Sequence, residues 1–251
     1  RAWQTARTLV KREDFDTVLT LSNPPFVGLI GAYLASRHKM RYVYVITDIH
    51  PDIVVAAGWI NIPPVVVKLW DLLNKWVLRR ADTVVVLGHG MRKTLIQEKN
   101  IASHRVRVIP IWGRPELEPG LPNNDVRHRF GIDEEAILLL YAGNMGIMHP
   151  IEPILDAATL LSGLPVQFVF VGDGTKRVSL AEQISENDIS QVLLLPYQTE
   201  DQFNELLSSS DACFVVLKNG MERFSVPSRA YTFLSAGKPI ITIMAPTADV
   251  A

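Results

Sequence analysis

Apolar positions along this chain change their spacing again and again. Short runs dense in Val, Ile and Leu alternate with stretches where apolar residues return every third or fourth position. The runs fit buried strands and the spaced stretches fit helices packed on them. Residues 1–11 space Trp3, Ala6 and Val10 for one helical face, and 15–21 read as a strand stopped by Ser22-Asn23-Pro24-Pro25. Residues 26–36 read as a small-residue helix and 41–46 as a strand. A proline-marked turn over 60–64 leads into a long helix, 65–80, which ends on Arg79-Arg80 where the macrodipole favours cations. Residues 83–87 are a strand, 88–99 a glycine turn opening a helix, and 105–109 a strand ended by Pro110.

Residues 111–124 break the alternation. Pro115, Pro119 and Pro122 sit there among few periodic apolars, which reads as a linker or hinge. The pattern then restarts, with strands over 137–141, 166–171, 192–195, 212–217 and 239–243. Helices over 151–161, 176–186, 201–209 and 227–236 separate them. Parallel strands need crossovers, so the chain reads as α/β with two Rossmann-like, doubly wound parallel-sheet domains. The expected division is an N-terminal domain over 1–110, a linker over 111–124 and a C-terminal domain over 125–251. The crevice between two such domains is the expected ligand site. The chain opens without Met and stops just after a strand, so both domains are expected to be incomplete.

Two glycine turns organise the second half. Gly143-Asn144-Met145-Gly146 follows the strand over 137–141, and Gly172-Asp173-Gly174 follows the strand over 166–171. At such strand-to-helix turns the backbone can approach an anion, and helix N–H groups point at it. Two of them on neighbouring strands predict a pocket for something phosphorylated.

Composition narrows the field. With 48% hydrophobic and 20% charged residues the chain has material for a large core. A net charge of −1 argues against nucleic acid as a partner, since that affinity comes from massed Lys and Arg. Cys213 is the single cysteine, so an internal disulfide is impossible and a reducing, cytoplasmic setting is expected. It lies in an apolar run and reads as core. No run reaches the ~20 apolar residues of a spanning helix. The helix over 65–80 carries Trp70, Trp76 and basic residues, so core packing and contact with a membrane face are both open. Zinc-ligand spacing, a nucleophile elbow, Gly-x-Gly-x-x-Gly and the P-loop are all missing from the sequence.

Several side chains are candidates for chemistry. His50 follows a strand and is placed for general-base work or for binding a hydroxyl, with Asp48 or Asp52 orienting it. The alternative is a plain turn in which Asp52 caps the next helix. His89 and Arg114 are weaker candidates, as a surface turn and a solvated linker residue explain them better. His149, as a cation beside a helix start, would add to the dipole in holding phosphate. Lys176 and Arg177 stand at a helix N-terminus, where cations are unfavourable unless an anion compensates. Ser228 and Arg229 follow Pro227 at the start of the last helix, with a hydroxyl expected to satisfy free N–H groups. Asp173 reads as a turn residue.

The segments DTVLTLSNPP, YVYVITDIHPD, RRADTVVVLGHGMRKTL, RVRVIPIW, RFGIDEEAILLLYAGNMG, FVFVGDGTKR and VPSRAYTFLSAGKPII together resemble bacterial glycosyltransferase family 4. The resemblance is nearest to the branch that builds capsule, O-antigen and colanic-acid-type polysaccharides. It implies a GT-B fold and a retaining transfer from a nucleotide-diphosphate sugar, UDP-linked, to a lipid-linked or glycan acceptor. It implies no cofactor and no metal. Asp48 and His50 are expected to be catalytic. Gly143, Asn144, Gly146, Lys176, Ser228 and Arg229 match the family's nucleotide-sugar site, and His149, Gly172 and Gly174 are expected to join them there. The chain departs from the family at four positions. Phe224 and Thr232 stand where it has paired glutamates, His149 where it has lysine, and Thr47 where it has histidine. A binding subunit that has lost catalysis, or a UDP-sugar epimerase of the same fold, are the alternatives.

Overall fold

The computed structural model describes residues 1–58, 61–114, 117 and 124–251. Ile60 of the expected turn and the linker prolines Pro115, Pro119 and Pro122 lie outside the described residues. Contacts divide the chain into two units, the first being Arg1–Pro110 with Gly220–Val226 and Thr247–Asp249. The second is Ile111–Asn219 with Pro227–Pro246 and Val250–Ala251. Membership is therefore not contiguous in sequence, since residues 220–226 and 247–249 make their contacts with the first unit.

In the first unit, α1 (Ala2–Arg12), β1 (Thr17–Leu21), α2 (Val27–His38), β2 (Arg41–Ile46), α3 (Asp52–Ala57) and α4 (Pro64–Arg80) come first. They are followed by β3 (Thr83–Val86), α5 (His89–Gln97) and β4 (Val106–Val108). The sheet is parallel, in the order β1-β2-β3-β4. Alternation along β2 buries Tyr42, Tyr44 and Ile46 on one face. The Tyr42 hydroxyl bonds that of Thr20 at 2.8 Å and donates to the Gly28 carbonyl at 3.0 Å. Helix α2 comes this close because Gly31 has no side chain: a Cβ there would lie 2.7 Å from both Thr20 and Tyr42. Helix α3 was not expected as a helix. It is short and β-branched, leaving no periodicity to read, and Gly58 at φ 70° closes it.

The second unit holds α6 (Asn124–Arg129), β5 (Ile137–Ala142), α7 (Glu152–Leu160), β6 (Val166–Val171) and α8 (Arg177–Glu186). Then come β7 (Val192–Leu195), α9 (Glu200–Ser209), β8 (Ala212–Val216), α10 (Arg229–Ser235) and β9 (Ile240–Ile243). This parallel sheet has the order β7-β6-β5-β8-β9. Its strands are apolar at nearly every position, Gln167 and Thr242 excepted, because both faces are covered. Leu138, Leu140, Val169, Val171, Cys213 and Val215 face a core with Leu206 and Leu207 of α9 and Phe233 of α10. The alternate residues Tyr141, Phe168, Phe170, Phe214 and Val216 face Ile154 and Leu155 of α7 and Leu180 of α8. Cys213 belongs to this core; burial pushes its thiol up to about 11, outweighing the lowering effects of Ser210 and Lys238. The order reverses between β5 and β8. Crevices form beyond the carboxyl ends of strands at such a reversal, and the turn after β5 is located there.

Candidate functional site

The two glycine turns meet in the second unit. Gly143, Gly172 and Gly174 have φ of 132°, 140° and 151°, a region that L side chains avoid. The Gly143 amide donates to the Val171 carbonyl at 2.7 Å, and the Met145 amide to the Asp173 carbonyl at 2.8 Å. The Lys176 amide returns to the Met145 carbonyl at 2.9 Å. A Cβ on Gly172 would lie 2.0 Å from the Gly143 carbonyl oxygen, and one on Gly174 2.6 Å from that of Met145. The turns thus touch backbone to backbone. Asn144 and Gly146 sit in the same knot: a Cβ on Gly146 would lie 3.0 Å from the Asn144 side-chain oxygen, and the Asn144 carbonyl accepts from the Tyr141 hydroxyl at 2.7 Å. One expectation changes here. The amides of Gly143, Met145 and Lys176, with that of Gly174 bonded to the Asp173 carboxylate at 2.7 Å, are engaged within the protein. Charge for an anion therefore comes chiefly from side chains.

Arg229 supplies the first such charge. A Cβ on Gly143 would lie 1.5 Å from the guanidinium carbon, so Arg229 lies directly against the first turn. Its guanidinium also stands 5.9 Å from the Tyr141 ring centre. Lys176 supplies the second. Its ammonium donates to the His149 carbonyl at 3.1 Å and pairs with Glu152 at 2.7 Å. That pairing resolves the expected misfit of a cation at a helix N-terminus, because the first turn of α7 provides a carboxylate. Burial tends to raise the Glu152 carboxyl, but bonding to Lys176 prevails and holds it below the usual range. Glu152 went unnoticed in the sequence because its partner is 24 positions away.

His149 is not the cation expected of it. Burial, then the charges of Arg229 and Lys176, push its imidazole down to about 4, so it is neutral at pH 7. Its Nδ1 is buried without a partner. The unfolded side chain titrates near 6.5. Above that pH His149 has no effect on stability; as pH falls from there toward 4 the unfolded chain takes up a proton that the fold refuses. Stability should fall across that window, by up to about 3 kcal/mol for this residue. Histidine NMR titration of the chain should show one imidazole still neutral at pH 5, and that resonance should vanish in His149→Asn. Titration near 6.5 by all histidines would refute this.

Ser228 is exposed at the N-cap of α10, but its hydroxyl makes no capping bond, contrary to expectation. Pro227 precedes the cap and is not in the first turn, because the helix opens at Arg229. Beside Arg229 lies a cavity of about 250 Å³ lined by Arg114, Gly143, Tyr197, Gln198, Phe203 and Thr232. Arg114 pairs with Glu200 on its edge, so it is neither a plain solvated linker residue nor held in reserve. Thr232, at one of the paired-glutamate positions, lines this cavity. Phe224, at the other, is buried in the first unit, where its carbonyl accepts the Ile49 amide at 2.9 Å.

Asp48 and His50 belong to the first unit. The Asp48 carboxylate accepts from the Asn23 amide at 2.7 Å, and its backbone bridges to Ser225. His50 Nδ1 bonds the Asp48 main-chain carbonyl at 3.1 Å, and its ring stands 5.6 Å from that of Trp70. Neither the Asp48 nor the Asp52 carboxylate orients it. Asp52 is not a cap either: it pairs with the buried ammonium of Lys99, which Asp71 also contacts. The turn before α5 is closed by Asp249, whose carboxylate accepts from the His89 amide at 2.6 Å and the Gly90 amide at 3.2 Å. Among the described residues no cluster of His, Cys, Asp and Glu could hold a metal.

Residues 1–112 match the glycosyl transferase 4-like domain, and residues 123–249 match glycosyl transferases group 1. The chain is 26% identical over 238 residues to the probable glycosyltransferase WbjE of Pseudomonas aeruginosa, covering 94% of this chain and 59% of that protein. It is 27% identical over 175 residues to the putative colanic acid biosynthesis glycosyl transferase WcaI of Escherichia coli K12, covering 68% of this chain and 43% of that one. The chain thus spans roughly half the length of these relatives. The crystal structure of Anabaena Alr3699/HepE in complex with UDP and glucose superposes with a TM-score of 0.72 at 16% identity, over 96% of this chain and 61% of that one. Matched domains, strand orders and relatives agree: the chain belongs to the glycosyl transferases group 1, within the bacterial GT-B glycosyltransferases of family 4.

Proposed function

We propose that this chain is part of a cytoplasmic, retaining glycosyltransferase. It would move a sugar from a UDP-sugar to a lipid-linked or polysaccharide acceptor in cell-surface polysaccharide synthesis. The observation that carries the reading is the packing of Arg229 against Gly143, where the two glycine turns touch at the strand-order reversal. The colanic acid relative supplies the polysaccharide context, and the HepE complex supplies UDP. On this reading the nucleoside enters the 250 Å³ cavity, with Tyr197 and Phe203 as aromatic surface and Gln198 as amide. The diphosphate lies over Gly143 against Arg229, and Lys176 leaves Glu152 to meet it. As the bond from the anomeric carbon to the diphosphate oxygen breaks, charge grows on the phosphate, and these two cations stabilise it in place of a metal. Asp48 and His50 are assigned to contact with sugar or acceptor.

Titration calorimetry of the chain with UDP and UMP tests the site. UDP should bind, and Arg229→Ala should weaken UDP by about tenfold or more while changing UMP far less, since a charge-assisted phosphate contact is removed. Absence of heat with every nucleoside diphosphate would overturn the reading. A binding subunit without catalysis is favoured by one feature, Thr232 in place of a glutamate on the cavity wall. UDP binding without release of UDP from any UDP-sugar in the presence of membrane extract would support that second reading.

A further inference from the structure

The turn that carries Asp48 and His50 is held at both ends within the first unit. At its near end the Ile49 amide donates to the Phe224 carbonyl at 2.9 Å, and Asp48 bridges to Ser225. At its far end the contacts lead to α4. The Asn74 side-chain amide donates to the His50 carbonyl, and the Trp70 ring stands 5.6 Å from that of His50. Two residues on, Asp52 opens α3, and its carboxylate meets the Lys99 ammonium at 2.6 Å. The same ammonium meets Asp71 of α4 at 2.6 Å. Asp71 follows Trp70 directly and precedes Asn74 by three residues, so it shares the helical turn that grips His50. One nitrogen therefore ties the start of α3 to the part of α4 against which His50 packs.

Lys99 lies just beyond the end of α5, with its side chain only 6% exposed. Burial disfavours the ammonium, but the bonds to Asp52 and Asp71 prevail and hold its pKa above the usual lysine value. Asp71 has a second cation, Lys75 at 2.8 Å, whereas among the described residues no other ion pair reaches Asp52. Asp52 also borders a cavity of about 810 Å³ that Val55 of α3 and Val67 of α4 line from either side. Packing does not join the two helices across that space; the shared cation does.

We propose that Lys99 is the positioning residue of the His50 turn, its ammonium holding the start of α3 to α4 through Asp52 and Asp71 and so setting the His50 ring against Trp70. Without the ammonium, two carboxylates whose nearest oxygens lie within about 5 Å repel each other, and the cavity gives Asp52 room to swing away. The consequence for sugar transfer rests on the assignment of His50 to sugar or acceptor; the ring contact does not.

NMR of the chain with labelled histidine tests this, the His50 resonance being the one missing in His50→Gln. Trp70→Leu gives its position without the neighbouring ring. Lys99→Met should move the His50 resonance more than half of the way to that position, and Asp52→Asn, which keeps the size and removes the charge, should move it in the same direction. Asp52→Asn also decides the matter if Lys99→Met does not fold. Lys99→Arg, with donors for both carboxylates, should restore most of the parent position. UDP affinity and the His149 resonance, both read in the second unit, should not change. A merely stabilising ammonium would lower the urea midpoint and leave the native His50 resonance in place. That result, or a His50 shift accompanied by equal changes in the second unit, would overturn the proposal. The resonance reports the ring's position whether or not His50 touches sugar, so failure here is distinct from failure of the transferase reading, which UDP titration decides.

Discussion

Gly172→Ala is expected to destabilise the second unit by several kcal/mol and to abolish binding of UDP. Two penalties act together. The residue sits at φ 140°, where a side chain costs about 1–3 kcal/mol. Its new methyl would also lie 2.0 Å from the Gly143 carbonyl oxygen. A side-chain neighbour could rotate away, but this one is backbone held by the 2.7 Å bond from the Gly143 amide to Val171. Overpacking of that kind adds about 1–3 kcal/mol or more. Whatever relief occurs must push the first turn toward Arg229, which is why binding goes with stability. Gly163→Ala is the control: its φ is 82°, but a Cβ there meets nothing within 4 Å, so only the smaller backbone penalty applies. Urea midpoints read by hydrogen exchange of β5 and β6 amides should separate the two by more than about 1 kcal/mol. Equal midpoints would show that the turns are not in rigid contact.

Arg127→Ala should cost about 1–3 kcal/mol or more, because it removes the donors of a buried guanidinium from several main-chain carbonyls at once. Arg127 is buried in α6 and serves two segments. One terminal nitrogen donates to the carbonyls of Ala136 at 2.7 Å and Glu134 at 2.9 Å. The other donates to the Ser209 carbonyl at 3.1 Å and the Asp211 carboxylate at 2.9 Å. Asp211 in turn accepts the Leu138 amide at 2.7 Å, which fixes how β5 and β8 begin. Removing the guanidinium leaves the buried carbonyls of Ala136 and Ser209 without this donor. Arg127→Lys should recover little, since one ammonium cannot span both segments. Amide exchange in β5 and β8 should accelerate together; a change in only one would contradict this role.

Much of the second unit was legible in advance, for a local reason. Strands buried on both faces read as unbroken apolar runs, so β5, β6 and β8 stand out in the sequence, and glycines mark the turns where no other residue fits. Helices α3 and α6 were not legible, being six residues each and too short for periodicity. The site divides along the same line. Gly143, Gly172 and Arg229 could be picked out as candidates because turn geometry and a cation near a helix start are local signals. Glu152 as the partner of Lys176, the neutrality of His149, and the Asp48–Asn23 bond were not, because each depends on groups brought together across the sheet.

Taken alone, the order of residues determined the alternation of strand and helix, the glycine positions and the apolar excess of α4. Those follow from side-chain volume, backbone freedom and spacing, which act within a few residues. Tertiary structure decided the strand order that reverses at β5 and β8, the charge state of His149, and the meeting of Lys99 with Asp52 and Asp71. Burial and Coulomb interaction depend on distance in space, and folding sets that distance independently of separation along the chain.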